Sequence, residues 1–78
     1  MIDCLITSLK KTEIYKKARS VTLPAFLGRT QILPGYAESF LLLNKGDIII
    51  RRSGGKKEII QILNGQCHIK DDVVTIIL

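Results

Sequence analysis

Apolar residues along this chain gather into short runs, and turn-forming residues cut each run before it reaches helical length. That punctuation is the strongest constraint on the fold, because a strand needs only about five residues where a helix needs about ten or more. Ile2–Thr7 reads as a strand that ends at Ser8–Lys11, and Glu13–Tyr15 as a short one with lysines on both sides. Ala18–Leu23 follows and is expected to stop at Pro24, which cannot donate to a ladder. Arg29–Leu33 lies between Gly28 and a Pro34-Gly35 turn, and Ser39–Leu43 ends at Asn44-Lys45-Gly46. Asp47–Arg52 meets Ser53-Gly54-Gly55, the clearest hairpin turn in the chain. Lys57–Leu63 returns to Asn64-Gly65, read as a second hairpin turn. Gln66–Lys70, a turn at Asp71-Asp72 and Val73–Leu78 close the chain.

The residue types agree with the punctuation. The chain holds 13 Ile, 10 Leu, 3 Val and 5 Thr against only 3 Ala, so β-branched side chains dominate and the best helix former is scarce. Nine short strands with evenly spaced turns predict an all-β sandwich or small barrel. The 78 residues set one domain as the ceiling, spanning 1–78. Ile48-Ile49-Ile50 and Val73-Val74 break the alternation expected of half-buried strands. Some outer faces are therefore expected to be covered, by the chain itself or by a partner.

Several function classes are disfavoured. Runs such as Phe40–Leu43 are far too short to span a bilayer, and Met1–Lys10 shows no secretory leader. Cys4 and Cys67 are the only cysteines, which fits a reducing interior better than a disulfide scaffold. One His and seven scattered carboxylates give catalysis little to work with. Cys4, Cys67 and His68 lack metal-ligand spacing and read as ordinary strand residues, so no metal or cofactor is expected. Ser53-Gly54-Gly55-Lys56-Lys57 lacks the following helix of a P-loop and reads as a plain hairpin tip. Asp71-Asp72 reads as a solvated turn.

The net charge is +5, with basic pairs at Lys10-Lys11, Lys16-Lys17, Arg51-Arg52 and Lys56-Lys57. Three readings are open: protection of strand edges, attraction to anionic headgroups, or binding of single-stranded nucleic acid by a small basic β-barrel. The last needs aromatic stacking platforms, and none of Tyr15, Phe26, Tyr36 and Phe40 forms a motif beside a basic pair.

The middle of the chain is its most specific part. It reads Val21-Thr22-Leu23-Pro24, Gly28, Ile32-Leu33-Pro34-Gly35-Tyr36-Ala37, Leu43-Asn44-Lys45-Gly46, then Asn64-Gly65 and a closing Val74-Thr75-Ile76-Ile77-Leu78. This ungapped series resembles the N-terminal β-sandwich of the epsilon subunit of F-type ATP synthases, which is the delta subunit of mitochondria. Pro24 and Pro34 are expected to end strands, and Gly28, Gly35, Gly46 and Gly65 to take positive φ where the chain reverses. The resemblance implies a flattened β-sandwich of about nine or ten short strands. It also implies a non-catalytic rotor subunit, peripheral on the cytoplasmic face of the bacterial inner membrane. In such a subunit the sandwich binds the gamma subunit on one side and the c-ring on the other.

Carried onto this chain, the resemblance places Tyr36, Phe40 and Leu41 at the gamma contact and Gly28, Arg29, Thr30 and Gln31 in a loop facing the c-ring. The chain departs from the family where Arg29 replaces an acidic residue, where Thr30 and Gln31 replace an apolar residue and a glycine, and at Tyr36 and Asn64. Most bacterial relatives continue into a two-helix C-terminal hairpin that can bind ATP or brake the catalytic head. With its last residue at Leu78, the chain is expected to lack that hairpin and the brake.

Overall fold

The computed structural model describes all of residues 1–78. Nine strands follow in chain order: β1 (Ile2–Thr7), β2 (Thr12–Ala18), β3 (Ser20–Ala25), β4 (Gly28–Ile32), β5 (Ser39–Leu43), β6 (Gly46–Arg51), β7 (Lys57–Ile62), β8 (Gly65–Lys70) and β9 (Val73–Ile77). The only helical element is one 3-10 turn at Ser53–Gly55. The strands hydrogen-bond in the order β2-β1-β9-β8-β5-β3-β6-β7, with β4 on the other edge of β3. Between β5 and β3 the sheet hangs on a single pair, Ala25 with Leu43. There it folds over into a five-stranded layer (β2-β1-β9-β8-β5) and a four-stranded layer (β4-β3-β6-β7). The result is a flattened sandwich of 28 × 26 × 19 Å.

The core lies between the layers. Ile2, Cys4 and Ile6 of β1 share one cluster with Val21 and Leu23 of β3 and Ile48 and Ile50 of β6. The broken alternation at Ile48–Ile50 resolves locally. Ile48 and Ile50 belong to the core cluster, while Ile49 is buried outside it, in register with Thr22 and Ile59 of the neighbouring strands. The outer strands carry charge, which discourages further pairing: Lys16 and Lys17 on β2, Arg29 on β4, Lys57 on β7. β2 is also longer than its apolar core implied. Its register shifts opposite Ile2 and Cys4, and Lys17 turns to φ 58° with its N–H donating to Asp3 Oδ1 at 3.2 Å.

The turn residues divide by mechanism. Gly35 carries φ 84° in a Leu33–Tyr36 turn closed by the Tyr36 N–H donating to the Leu33 carbonyl at 3.2 Å. Gly28 carries φ 130° at the end of the β3–β4 hairpin. Gly46 and Gly65 do not have positive φ, contrary to expectation. Their reason is close approach: a Cβ on Gly46 would lie 2.8 Å from Pro24 Cβ, and one on Gly65 3.0 Å from the Ile77 carbonyl.

Pro24 does not end its strand. It pairs with Arg29 inside β3, beyond Thr22 where the β6 ladder stops, so the missing N–H leaves no ladder partner unsatisfied. Nor is Asn64-Gly65 a hairpin, because β7 and β8 lie in different layers and do not pair. The Asp71-Asp72 turn, with both φ positive, is more than solvated. Asp72 Oδ1 accepts the Gly35 N–H at 2.7 Å and ties the two turns together.

Cys4 and Cys67 are free thiols on the inner face. Burial pushes both up to about 12 from 9.0, with Cys67 adding a smaller push on Cys4. The folded state therefore favours the neutral thiols. Their stabilising effect is complete below about pH 9, where unfolded thiols begin to ionise, and is lost as the pH rises toward 12. The expected result is a melting temperature that falls steeply above pH 9 and a native chain that resists thiol alkylation at neutral pH until denatured. Rapid labelling of the folded protein would refute the buried assignment.

Candidate docking surface

Side chains of the five-stranded layer alternate between core and solvent, and registration across the strands lines the outward ones into rows. One row runs Phe40, His68, Thr75, Leu5, Ile14. The next runs Leu42, Gln66, Ile77, Thr7, Thr12. Phe40 is 77% exposed, and Leu42, Ile77 and Ile14 are each more than half exposed. Phe26 and Leu78 extend the patch beside Leu42 and Ile77, around a shallow cavity of about 340 Å³. No Lys, Arg, Asp or Glu side chain belongs to either row. Beside Phe40, Glu38 Oε2 and His68 Nε2 share a hydrogen bond of 2.9 Å, and the His68 ring stacks on Phe40 with centroids 4.3 Å apart at 11°. The stack restrains the rotamer of the exposed Phe40 ring.

The three residues expected at the gamma contact do not share this surface. Phe40 is on it. Leu41 pairs with buried Cys67 and packs from the inner side against the core, as Tyr36 also does. Leu42, Ile77, Leu5 and Ile14 are the surface residues that sequence reasoning missed. For Leu42 the signal was the two-residue period of β5, hidden because Phe40-Leu41-Leu42-Leu43 is apolar throughout; Leu5, Ile14 and Ile77 join it only through the register of β1, β2 and β9.

The loop expected at Gly28–Gln31 is an edge strand, β4, paired residue by residue with β3. Alternation splits its side chains. Arg29 and Gln31 are exposed, while Thr30 is half-buried with its hydroxyl donating to the Gly28 carbonyl at 3.1 Å. The true loop is the preceding Phe26-Leu27, whose side chains project at the hairpin tip. Cys67 and His68 occupy opposite faces of β8, so one ion could not take both as ligands.

Near the sandwich edge, Arg52 Nη2 lies 3.1 Å from Glu58 Oε2, and its guanidinium sits 5.6 Å from the centre of the Tyr15 ring. Burial, then the hydrogen bond to Glu13 Oε2 at 3.0 Å, raises the pKa of the Tyr15 phenol.

The fold is a small two-layered sandwich with an apolar row of outward side chains on the five-stranded layer and Arg29, Arg51 and Lys57 on the four-stranded one. The whole chain, residues 1–78, matches the family described as ATP synthase, Delta/Epsilon chain, beta-sandwich domain, and the protein belongs to that family. The ATP synthase epsilon chain of Wolinella succinogenes is 41% identical over 58 residues, covering 74% of this chain and 43% of that protein. In a cryo-EM structure of the Euglena gracilis mitochondrial ATP synthase (OSCP/F1/c-ring, rotational state 1), one chain matches with a TM-score of 0.88 at 24% identity. That match covers 97% of this chain and 49% of the other. A chain of the Tetrahymena thermophila mitochondrial ATP synthase central stalk and c-ring matches with a TM-score of 0.82 at 13% identity, covering 97% and 61%. The chain thus spans between about two fifths and three fifths of the relatives it matches.

Proposed function

We propose that this chain serves as the sandwich domain of a rotor subunit in a proton- or ion-translocating F-type ATP synthase. In this reading it docks the gamma subunit to the c-ring, and rotation driven by ion flow passes through it to the catalytic head. The observation that carries the reading is the uncovered double row on the five-stranded layer, in a chain of this family. Burying such exposed apolar side chains is worth about 1.5–3 kcal/mol each, which supports assigning the gamma contact to that face. The c-ring contact falls to the β3–β4 hairpin, with Phe26 and Leu27 at its tip and Arg29 and Gln31 on its outer edge. Arg29 asks for an acidic or polar partner on the ring. The role is mechanical and needs rigidity and two interfaces, with no titrating group of its own.

The setting is the cytoplasmic face of a bacterial inner membrane, supported by the Wolinella relative; no helix here is long and apolar enough to cross a bilayer. Nucleic-acid binding finds no support. The exposed rings Phe26 and Phe40 lie by the apolar face, away from the cations of the four-stranded layer, and Tyr15 is half-buried beneath Arg52.

The test is capture of the chain on its own gamma subunit at about 0.1 M and about 1 M salt, between which the Debye length shrinks from about 10 Å to about 3 Å. Retention at both is expected of apolar docking. Loss at high salt would mean that charge, not the apolar face, holds the complex.

A further inference from the structure

Beyond that reading, we propose that the four-stranded layer carries a binding site for a phosphate-class oxyanion. Where β3 begins, β4 ends and β6 runs into the 3-10 turn, a cavity of about 400 Å³ is lined by Arg19, Ser20, Gln31, Arg51 and Lys56. The backbone fixes this convergence. The Arg19 N–H donates to the Arg51 carbonyl at 2.7 Å, Ser20 pairs with Arg51, and the Arg52 N–H donates to the Lys56 carbonyl at 2.8 Å. Gly54 and Gly55, at φ 81° and 79°, turn the chain tightly enough to return Lys56 beside Arg51. The hairpin tip that lacks a P-loop's helix thus gains its cations from across the sheet.

The chemistry of the lining is one-sided. No carboxylate lines the cavity, and Arg19, Arg51 and Lys56 form no ion pair within the chain. Arg52 also borders it, but Glu58 already holds that guanidinium. Ser20, 4% exposed, is the one buried polar residue, and it makes no side-chain hydrogen bond within the chain while lining this cavity. Its hydroxyl is open to the cavity, not sealed in the core; the sealed side-chain polar atom without a partner is Nε of Arg52, on the same rim. Two guanidinium forks, an ammonium, a hydroxyl and an amide supply donors in number for a tetrahedral oxyanion, and guanidinium matches phosphate oxygens two at a time. No aromatic ring lines the cavity, so recognition runs through the phosphate group alone. That group belongs either to a free phosphate or to a phospholipid headgroup.

The experiment is a titration of the 15N-labelled 78-residue chain with inorganic phosphate, exchanged for chloride at constant ionic strength. Saturable shifts are expected at the amides of residues 19, 20, 31, 51 and 56. Arg51→Gln or Lys56→Gln should each weaken the affinity about tenfold, as loss of a charge-assisted hydrogen bond does. Removing twice that charge elsewhere, by Lys10→Ala with Lys16→Ala, should change it less than about twofold. Sedimentation with phosphatidylcholine vesicles, with and without phosphatidic acid, separates the sources. Acid-dependent binding lost in Arg51→Gln but kept in the Lys10 and Lys16 variant identifies a headgroup. Phosphate binding without it identifies the free anion. Shifts that never saturate, that spread over all the lysines, or that fall equally in the control variant overturn the site.

Discussion

Phe40→Asp is expected to weaken capture by gamma at least about a hundredfold while leaving the sandwich folded. The ring is 77% exposed, at the edge of the apolar rows and stacked on His68, so the isolated domain loses little when it is removed. Substitutions at such surface positions usually change stability by no more than about 0.5 kcal/mol, with up to about 1 kcal/mol more for a poor strand former. In the complex the balance reverses. An exposed aromatic contact is lost at a cost of about 2 kcal/mol, and an unpaired carboxylate is pressed against an apolar partner at a cost of several more. Leu41→Asp is the contrasting variant. Leu41 packs against the core, so a carboxylate there should unfold the domain. Far-UV circular dichroism and surface plasmon resonance on both variants decide the matter. An unfolded Phe40→Asp would place Phe40 in the core; a folded variant with unchanged affinity would move the gamma contact off this face.

The contrast between Phe40 and Leu41 marks what can be read from the chain before it folds. Strand positions were legible because isoleucine runs and turn residues are local signals. The faces were not, because four consecutive apolar residues carry no period, and only pairing with β8 assigns Leu41 inward and Leu42 outward. At Arg29–Leu33 the residues themselves read as a strand, which β4 bears out at Gly28–Ile32; the loop at Gly28–Gln31 came from the family resemblance and is replaced by that edge strand. Asn64-Gly65 has the composition of a hairpin turn, but nothing local states that the strands it joins lie in different layers. The cations around Ser20 come from three stretches of sequence, so each basic pair looked isolated. Pro34-Gly35 was legible because the whole turn is four residues long.

Gly46 is where two separate sequence landmarks become one physical contact, and a single methyl group added there should destabilise the domain measurably. Its φ is ordinary, so alanine meets no backbone strain there. The obstacle is Pro24, whose Cβ would lie 2.8 Å and Cγ 3.3 Å from the new methyl group. The proline cannot rotate away: its ring is fixed, its strand is held by β4, and its carbonyl accepts the Asn44 N–H at 2.7 Å. Gly46→Ala should therefore cost about 1–3 kcal/mol, the range for overpacking. At about 4–8 °C per kcal/mol for a domain of this size, the melting temperature should fall by about 4–24 °C. The sharper test is the cycle with Pro24→Gly, which removes both obstructing atoms. If the contact is the cause, Gly46→Ala should cost much less in the Pro24→Gly background, by about 1 kcal/mol or more. Additive effects would show that Gly46 is required for some other reason. Coupling would tie the Leu23-Pro24 and Leu43-Asn44-Lys45-Gly46 landmarks of this chain to one contact: the glycine makes room for the proline beside the single pair, Ala25 with Leu43, where the two layers join.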